Sequence, residues 1–223
     1  MSHIILRAIA TLLFLGFAQP AVSQATWVYR ERTGKREIII EMSEESVPGG
    51  SIIHSLMSDG ETHDSSIDAS GGSIGYQYAS TSGETAYSVS KGDGVLRIEG
   101  TFKGKPLSRA LRIDAKPWYQ TIERSLREYA LSGSSQPIHF WIVQPYEAKA
   151  YLLQARGEGQ EEIDVGGRRV QAMKVRVGLP GIAHLLWSTL YWYRVEDGFF
   201  IRYEGVRGIP GTPKTVVELI GQK

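Results

Sequence analysis

The sequence predicts a mainly β protein, built as one strongly curved antiparallel sheet, half-barrel or barrel-like, with one amphipathic helix. Short segments in which apolar and polar residues alternate recur along the chain, and glycine-containing turns separate them. A single stretch changes to helical spacing. A sheet of about a dozen short strands must curl or split to bury its apolar face, which predicts the curvature.

The first 25 residues predict export. Arg7 forms a thin positively charged region, the ten residues Ala8 to Phe17 are mostly apolar, and small residues up to Ala25 suit a signal peptidase. A transmembrane anchor is less favoured, because this stretch is about half the roughly 20 residues that cross a bilayer. We expect residues 1–25 to be a signal peptide, residues 26–223 to form a single domain, and the mature protein to act in the periplasm without spanning the membrane.

Composition narrows the possible partners. The chain has 25 basic and 24 acidic residues, and only Arg7 is charged within the predicted leader, so the mature form is neutral. Without a positive surface, nucleic acid is not an expected partner. The chain contains no cysteine and no asparagine, so it forms no disulfide and carries no glycosylation sequon. A bacterial envelope is the simpler destination.

The first half of the mature chain predicts an antiparallel meander. Asp59-Gly60 is a dipeptide typical of a two-residue type I′ hairpin. Ser82-Gly83 and Gly92-Asp93-Gly94 mark further turns. The expected strands are Thr26 to Arg32, Glu37 to Met42, Ser51 to Ser58, Glu61 to Ala69, Ile74 to Ser80, Thr85 to Ser90, Val95 to Phe102 and Leu107 to Asp114.

The one helical segment is predicted from Pro117 to Leu131. Trp118, Ile122, Leu126 and Tyr129 recur at spacings of four, four and three, which places them on one face of a helix. Proline suits a first helical turn, and the Ser132-Gly133 pair that follows suits a helix end. We expect this helix to lie on the sheet.

Strands resume after the helix. Gly166-Gly167 predicts a tight hairpin, and Asp197-Gly198 predicts another. The expected strands are Ile138 to Val143, Ala148 to Arg156, Glu161 to Val165, Arg168 to Val177, Thr189 to Glu196, Phe199 to Gly205 and Thr215 to Ile220.

The C-terminal third resembles a known group of proteins. The run from Gly166 to Val177 and the segment Trp192-Tyr193-Arg194-Val195-Glu196-Asp197-Gly198-Phe199 resemble uncharacterised β-rich periplasmic proteins of Gram-negative bacteria. Their architecture is similar to the half-barrel of the outer-membrane lipoprotein carriers. The resemblance implies a concave, apolar-lined surface and carries over no catalytic residue.

The connection from Leu179 to Trp187 is the strongest candidate for function. It begins with a Pro-Gly turn, yet six of its nine residues are apolar, which is unusual for a solvated loop. We expect it to form either a short helical plug tucked under the sheet, or a lid over a hydrophobic groove or a patch that meets lipid or a partner. In the second case the expected ligand-binding residues are Leu185, Leu186, Trp187, Tyr191 and Trp192.

The signals for catalysis are weaker. Gly71-Gly72-Ser73-Ile74-Gly75 matches the letters of a nucleophile elbow, but a strand-like sequence follows Ser73 where that motif needs a helix. A two-residue turn at Asp59-Gly60 would place His54 and His63 diagonally on one face, without a third ligand for a metal. No cofactor is expected.

Three hypotheses follow. The preferred one is an exported, non-catalytic envelope protein that binds a lipid or another apolar or amphipathic molecule in a concave sheet. The first alternative is a hydrolase or metal-assisted enzyme that uses Ser73 or the His54 and His63 pair. The second is a structural partner of another envelope protein.

Overall fold

The computed structural model describes residues 25–181, 187–206 and 213–223. The leader predicted for residues 1–25 lies almost wholly outside the described residues. These described residues form fourteen strands, with two short helices between β8 and β9. The strands are β1 (Thr26–Thr33), β2 (Arg36–Val47), β3 (Gly50–Met57), β4 (Thr62–Asp68), β5 (Ser73–Ala79), β6 (Ala86–Gly92), β7 (Val95–Phe102), β8 (Lys105–Arg112), β9 (Ile138–Gln144), β10 (Lys149–Val165), β11 (Arg168–Gly178), β12 (Ser188–Arg194), β13 (Phe200–Val206) and β14 (Lys214–Gln222).

All fourteen strands belong to one antiparallel sheet, which confirms the predicted fold class. Apart from β8 and β9, each strand pairs with its neighbours in sequence, and β1 also pairs with β14. The sheet therefore runs β8 to β1 and then β14 to β9, with β8 and β9 as its two outer strands. These two strands do not pair with each other, so the sheet is not closed into a barrel.

Contacts between distant strands show that the sheet is strongly curved. The hydroxyl of Tyr87 in β6 donates to the carbonyl of Pro145, in the turn between β9 and β10, at 3.1 Å. Arg109 in β8 donates from its guanidinium to the carbonyl of Ala148 in the same turn, at 2.9 Å. The two ends of the strand order therefore meet through side chains.

The region predicted as one helix contains an extended segment and two short helices. α1 is Ile122–Ser125 and α2 is Arg127–Leu131, separated by Leu126. Pro117 and Tyr119 exchange backbone hydrogen bonds with Trp141 of β9, and Trp118 forms a parallel bridge to the same residue. A helix starting at Pro117 was therefore the wrong expectation: these residues satisfy the outer edge of β9, whose backbone groups would otherwise lack partners.

The apolar side chains that predicted one face of this helix are nevertheless buried at the first three of their four positions. Trp118, Ile122 and Leu126 are all buried. α1 and α2 pack against the inner face of the C-terminal half of the sheet, and the hydroxyl of Tyr193 in β12 donates to the carbonyl of Ile122 at 3.0 Å. The helices therefore occupy the space that the curved sheet encloses.

Three of the expected connections differ from the prediction. At Asp197-Gly198 the loop has four residues, because the backbone N–H of Arg194 bonds to the carbonyl of Phe199. Asp59-Gly60 belongs to a three-residue loop, because the backbone N–H of Met57 bonds to the carbonyl of Glu61. The segments expected as Ala148 to Arg156 and Glu161 to Val165 form the single strand β10, which has a bulge between Gly157 and Gly159. At Gly166-Gly167 the two-residue hairpin is confirmed: Val165 pairs with Arg168, and both glycines have positive φ.

Candidate functional site

The two ends of the apolar connection meet on the sheet. The backbone N–H of Leu179 bonds to the carbonyl of Trp187 at 3.4 Å, and both side chains are half-buried against the inner core cluster. The indole N–H of Trp187 donates to the carbonyl of Val206 at 2.9 Å. Leu185 and Leu186 lie outside the described residues. The ends of the connection are thus anchored by packing and by hydrogen bonds.

Tyr191 and Trp192 are both buried, but on opposite faces of β12. Tyr191 packs in the inner cluster, where its ring lies 5.1 Å from that of Tyr203. Trp192 belongs to a separate cluster on the outer face. Successive residues of a strand point to opposite faces, so these two cannot line one site together.

A groove of about 990 Å³ lies beside the anchored ends of the connection. It follows the bulged part of β10 and the facing part of β11, and Gly178, Leu179 and Ser188 line one end of it. Met173 also borders the groove, but its side chain is buried in the inner cluster. Beyond Ala155, β10 has no strand partner on its β9 side, and Gly157 instead donates its backbone N–H to the hydroxyl of Tyr129 at 2.9 Å.

The polar wall of the groove carries both signs of charge. Glu158 pairs with Arg176 through two hydrogen bonds, and Arg176 also donates to the hydroxyl of Ser188 at 3.1 Å. Glu161 lies 3.4 Å from the ammonium of Lys174. It also accepts a hydrogen bond from the indole of Trp192 at 2.6 Å.

Trp192 does not line the groove itself, but it contacts two charged side chains that do. Lys174 lies over its ring at 5.6 Å from the centroid, and Glu161 is held by its N–H. Both of these partners line the groove. A cation over an indole face is stabilised by the ring's charge distribution.

A second polar cluster lies on the inner face of β4 and β5 and centres on Glu61. Its carboxylate is almost fully buried and lies 2.8 Å from Nε2 of His63. It also accepts hydrogen bonds from the hydroxyls of Tyr146 at 2.9 Å and Tyr78 at 3.3 Å. Nδ1 of His63 lies 2.7 Å from the hydroxyl of Tyr76. We call Glu61, His63, Tyr76, Tyr78 and Tyr146 the Glu61 cluster.

The electrostatics of the Glu61 cluster favour an ionised carboxylate among neutral phenols. Burial by itself would raise the pKa of Glu61, but hydrogen bonds from His63, Tyr146 and Tyr78 and the attraction of His63 outweigh it and hold the pKa below its ordinary value. Burial raises the pKa of Tyr76 and Tyr78 well above the usual range, so both remain protonated donors. Buried, protonated phenols are poor nucleophiles, and the cluster is suited to holding the fold together.

The sequence did not predict the Glu61 cluster. Glu61 and His63 are two residues apart, as are Tyr76 and Tyr78, and such spacing places each pair on one face of a strand. That periodicity was the available signal. The contact with Tyr146 is a long-range one and has no local signature.

The proposed histidine pair does not form. The three-residue loop after Met57 pairs His54 with Asp64 and Ser55 with His63, so the two histidines lie on opposite faces. A shift of one residue moves every side chain of a strand to the other face. His54 instead contacts Asp64 at 2.9 Å. Within the described residues no group of three potential metal ligands comes together.

Ser73 is placed as a structural residue. It is buried at the start of β5, and its hydroxyl accepts a hydrogen bond from the backbone N–H of Gln120 at 2.8 Å. Its own N–H donates to the carbonyl of Trp118. A strand follows Ser73, as the sequence predicted, so the geometry of a nucleophile elbow is not present here.

Comparison with known proteins identifies the fold. No protein-family model matches the chain, and no curated protein matches its sequence. A β-barrel-like protein of domain of unknown function DUF1849 from Brucella abortus has a similar structure, with a TM-score of 0.58 and 8% identity, over 90% of this chain and 97% of that chain. The hypothetical lipoprotein YmcC from Escherichia coli (K12) matches with a TM-score of 0.44 and 12% identity, over 90% of this chain and 85% of that chain.

The Brucella match shows that this chain shares a β-rich, barrel-like fold with a bacterial protein of unknown function. Within the described residues, neither helix has the length and apolar character needed to cross a bilayer.

Proposed function

We propose that this protein is exported to the bacterial envelope and there binds a lipid or another apolar or amphipathic small molecule, without catalysing a reaction. The observation that carries the proposal is the groove of about 990 Å³ beside the connection from Leu179 to Trp187. Its volume falls in the range typical of small-molecule sites. The N-terminal leader supplies the argument for export.

The apolar part of the proposed site lies at the end of the groove. Leu179 contributes hydrocarbon to the lining, while Met173, which borders the groove, is buried in the inner cluster. Leu179 is only half-buried, so part of its side chain remains available to a ligand. Trp187, Leu185 and Leu186 extend the apolar sequence next to it, and we propose that they contact the ligand.

Trp192 and Tyr191 have different roles in this proposal. Trp192 acts through Glu161 and Lys174, whose positions in the groove it fixes. Tyr191 packs in the inner core and stabilises β12, the strand that follows the connection. Substituting Tyr191 is therefore a change to the core, and it makes a poor test of binding.

Binding of a fluorescent apolar probe tests the proposal. Purified protein without the leader is titrated with N-phenyl-1-naphthylamine, and the Leu179→Gln variant is compared with Ile220→Gln. Ile220 is an exposed apolar residue of β14 that does not line the groove. Losing apolar contact with one leucine should weaken binding by about tenfold, which corresponds to roughly 1.4 kcal/mol.

The control variant should bind like the unmodified protein. Circular dichroism and thermal unfolding establish that both variants are folded. A probe that fails to bind the unmodified protein, or equal binding by the two variants, would contradict the proposed site.

A further inference from the structure

The groove carries an uncompensated positive charge. Arg156 of β10 pairs directly with Arg176 of β11 in the antiparallel register, so the two guanidinium groups start from the same face of the sheet. Like charges directly opposite each other across a strand pair are destabilising. Both arginines line the groove, together with Lys174.

The acidic residues of the groove are already engaged. Glu158 holds Arg176 by two hydrogen bonds. Glu161 is shared between Lys174 and the indole of Trp192. Among the described residues, no carboxylate forms an ion pair with Arg156, whose side chain is exposed. Three cations therefore face two carboxylates, and Arg156 is the cation left over.

We infer that the groove binds the anionic head group, a carboxylate or a phosphate, of an amphipathic ligand, and that Arg156 is the residue that recognises it. This inference rests on the proposed function and specifies the class of its ligand. A guanidinium presents a planar fork of donors that matches the two oxygens of a carboxylate or a phosphate. An anion at this point also supplies the counter-charge that Arg156 lacks, since Glu158 is engaged by Arg176.

Arg156 and Leu179 both line the groove, but from opposite faces: Arg156 shares the outer face with Arg176, and Leu179 packs against the inner cluster. Arg156 lies on the β10 side, while Leu179 lies at the end next to the connection. Gln154 precedes Arg156 by two residues on the same face, and Ser188, whose hydroxyl accepts a hydrogen bond from Arg176, lies on that face as well. The charged group is thus placed among polar donors on the outer face, and we propose that the hydrocarbon chain extends to Leu179 at the end of the groove.

Two ligands with the same chain length, one with an anionic and one with a neutral head group, test the inference. Isothermal titration calorimetry measures binding of dodecanoate and of neutral 1-dodecanol, both below the concentration at which they aggregate. The unmodified protein should bind dodecanoate at least tenfold more tightly than dodecanol. Arg156→Gln should remove this preference by weakening the binding of dodecanoate at least tenfold.

Arg169→Gln is the matched control. Arg169 lies on the same hairpin, pairs with Glu162 and does not line the groove. This variant should keep the full preference for dodecanoate. The preference should also shrink as salt is raised, since exposed charges are screened.

The outcomes separate the inference from the proposed function. Equal affinity for dodecanoate and dodecanol in the unmodified protein overturns the anion inference and leaves lipid binding standing. Binding of inorganic phosphate alone, lost in Arg156→Gln, supports an anion site but overturns lipid binding. If neither chain-bearing ligand nor phosphate binds, both are overturned.

Discussion

Tyr146 donates its hydroxyl hydrogen bond to the carboxylate of Glu61 at 2.9 Å, across 85 positions of sequence. Tyr146 lies in the turn between β9 and β10, near one end of the strand order, and Glu61 precedes β4 on the other half of the sheet. This bond and those of Tyr87 and Arg109 hold the curved sheet together where no backbone pairing does so.

Removing the Tyr146 hydroxyl should loosen this contact. Tyr146→Phe deletes a hydrogen bond to a charged group while keeping the ring, and the free energy of unfolding should fall by about 1–2 kcal/mol, since Tyr146 is partly exposed. Denaturant unfolding measures the change. Amide hydrogen exchange of the turn from Gln144 to Lys149 should also become faster.

Tyr151→Phe is the control for this variant. Tyr151 donates to Glu147 within the β9–β10 hairpin and does not reach the other half of the sheet. The Tyr151→Phe variant should leave the amide exchange rate of the β3–β4 hairpin, which contains Glu61, unchanged. Equal effects of the two substitutions would show that Tyr146 does not join the halves.

Acidification should destabilise the protein through Glu61. Because hydrogen bonds hold the pKa of this carboxyl below its ordinary value in the folded state, the ionised form contributes stability above the pKa of the unfolded chain. That contribution is lost as the pH falls through the lower, folded pKa. The free energy of unfolding should therefore decline more steeply below about pH 4.5 in the unmodified protein than in Glu61→Gln.

Other carboxyls with lowered pKa, among them Asp68 and Asp197, contribute to the same acid limb. To separate the effect of Glu61 from that of these other carboxyls, Glu99→Gln serves as the reference variant, since Glu99 is exposed on β7. Its pH profile should overlay that of the unmodified protein. A Glu61→Gln profile with undiminished acid dependence would remove Glu61 from this account.

The buried helix contact should dominate the stability of the C-terminal half. Leu126 is fully buried between α1 and α2, and Leu126→Ala should cost about 2–5 kcal/mol, because it leaves a cavity in the inner cluster. Leu131→Ala, at an exposed position in α2, should cost less than half as much. Thermal unfolding of the two variants makes the comparison, and similar losses would contradict the packing of the helices inside the sheet.

Gly157 marks the closest approach of β10 to the loop after α2. A Cβ atom at this position would lie 2.3 Å from the carbonyl oxygen of Ser134. Gly157→Ala should therefore destabilise the fold by about 1–3 kcal/mol. Gly92→Ala introduces a Cβ with nothing within 4 Å and should be nearly neutral. Similar unfolding midpoints for the two variants would contradict this close contact.

Local patterns predicted the strands well because alternation is strong in this chain. β7 occupies the predicted range Val95–Phe102, and β1 differs from its prediction by one residue. Loop length at Asp59-Gly60 could not be predicted from the dipeptide alone, since two-residue and three-residue loops both place glycine at positive φ. The one extra residue in the loop places His54 and His63 on opposite faces of the sheet.

Local sequence patterns could not predict the features that depend on residues far apart in the sequence. The spacing of Trp118 and Ile122 is helical, yet the free edge of β9 recruits Trp118 into an extended bridge. The bulge at Gly157 and Gly159, which shapes the groove, arises in a strand that the sequence divides in two. Leu185 and Leu186, predicted from composition, remain a proposal.

The most direct measurement of the central claim is the identification of what the protein carries. The full chain, with its leader, is expressed in a Gram-negative host, recovered from the periplasm and extracted with organic solvent for mass spectrometry. We predict an N-terminus near residue 26 and a co-purifying amphipathic molecule that is depleted in the Leu179→Gln variant and retained in Ile220→Gln. Recovery of an empty, folded protein that also takes up no added lipid would contradict the account.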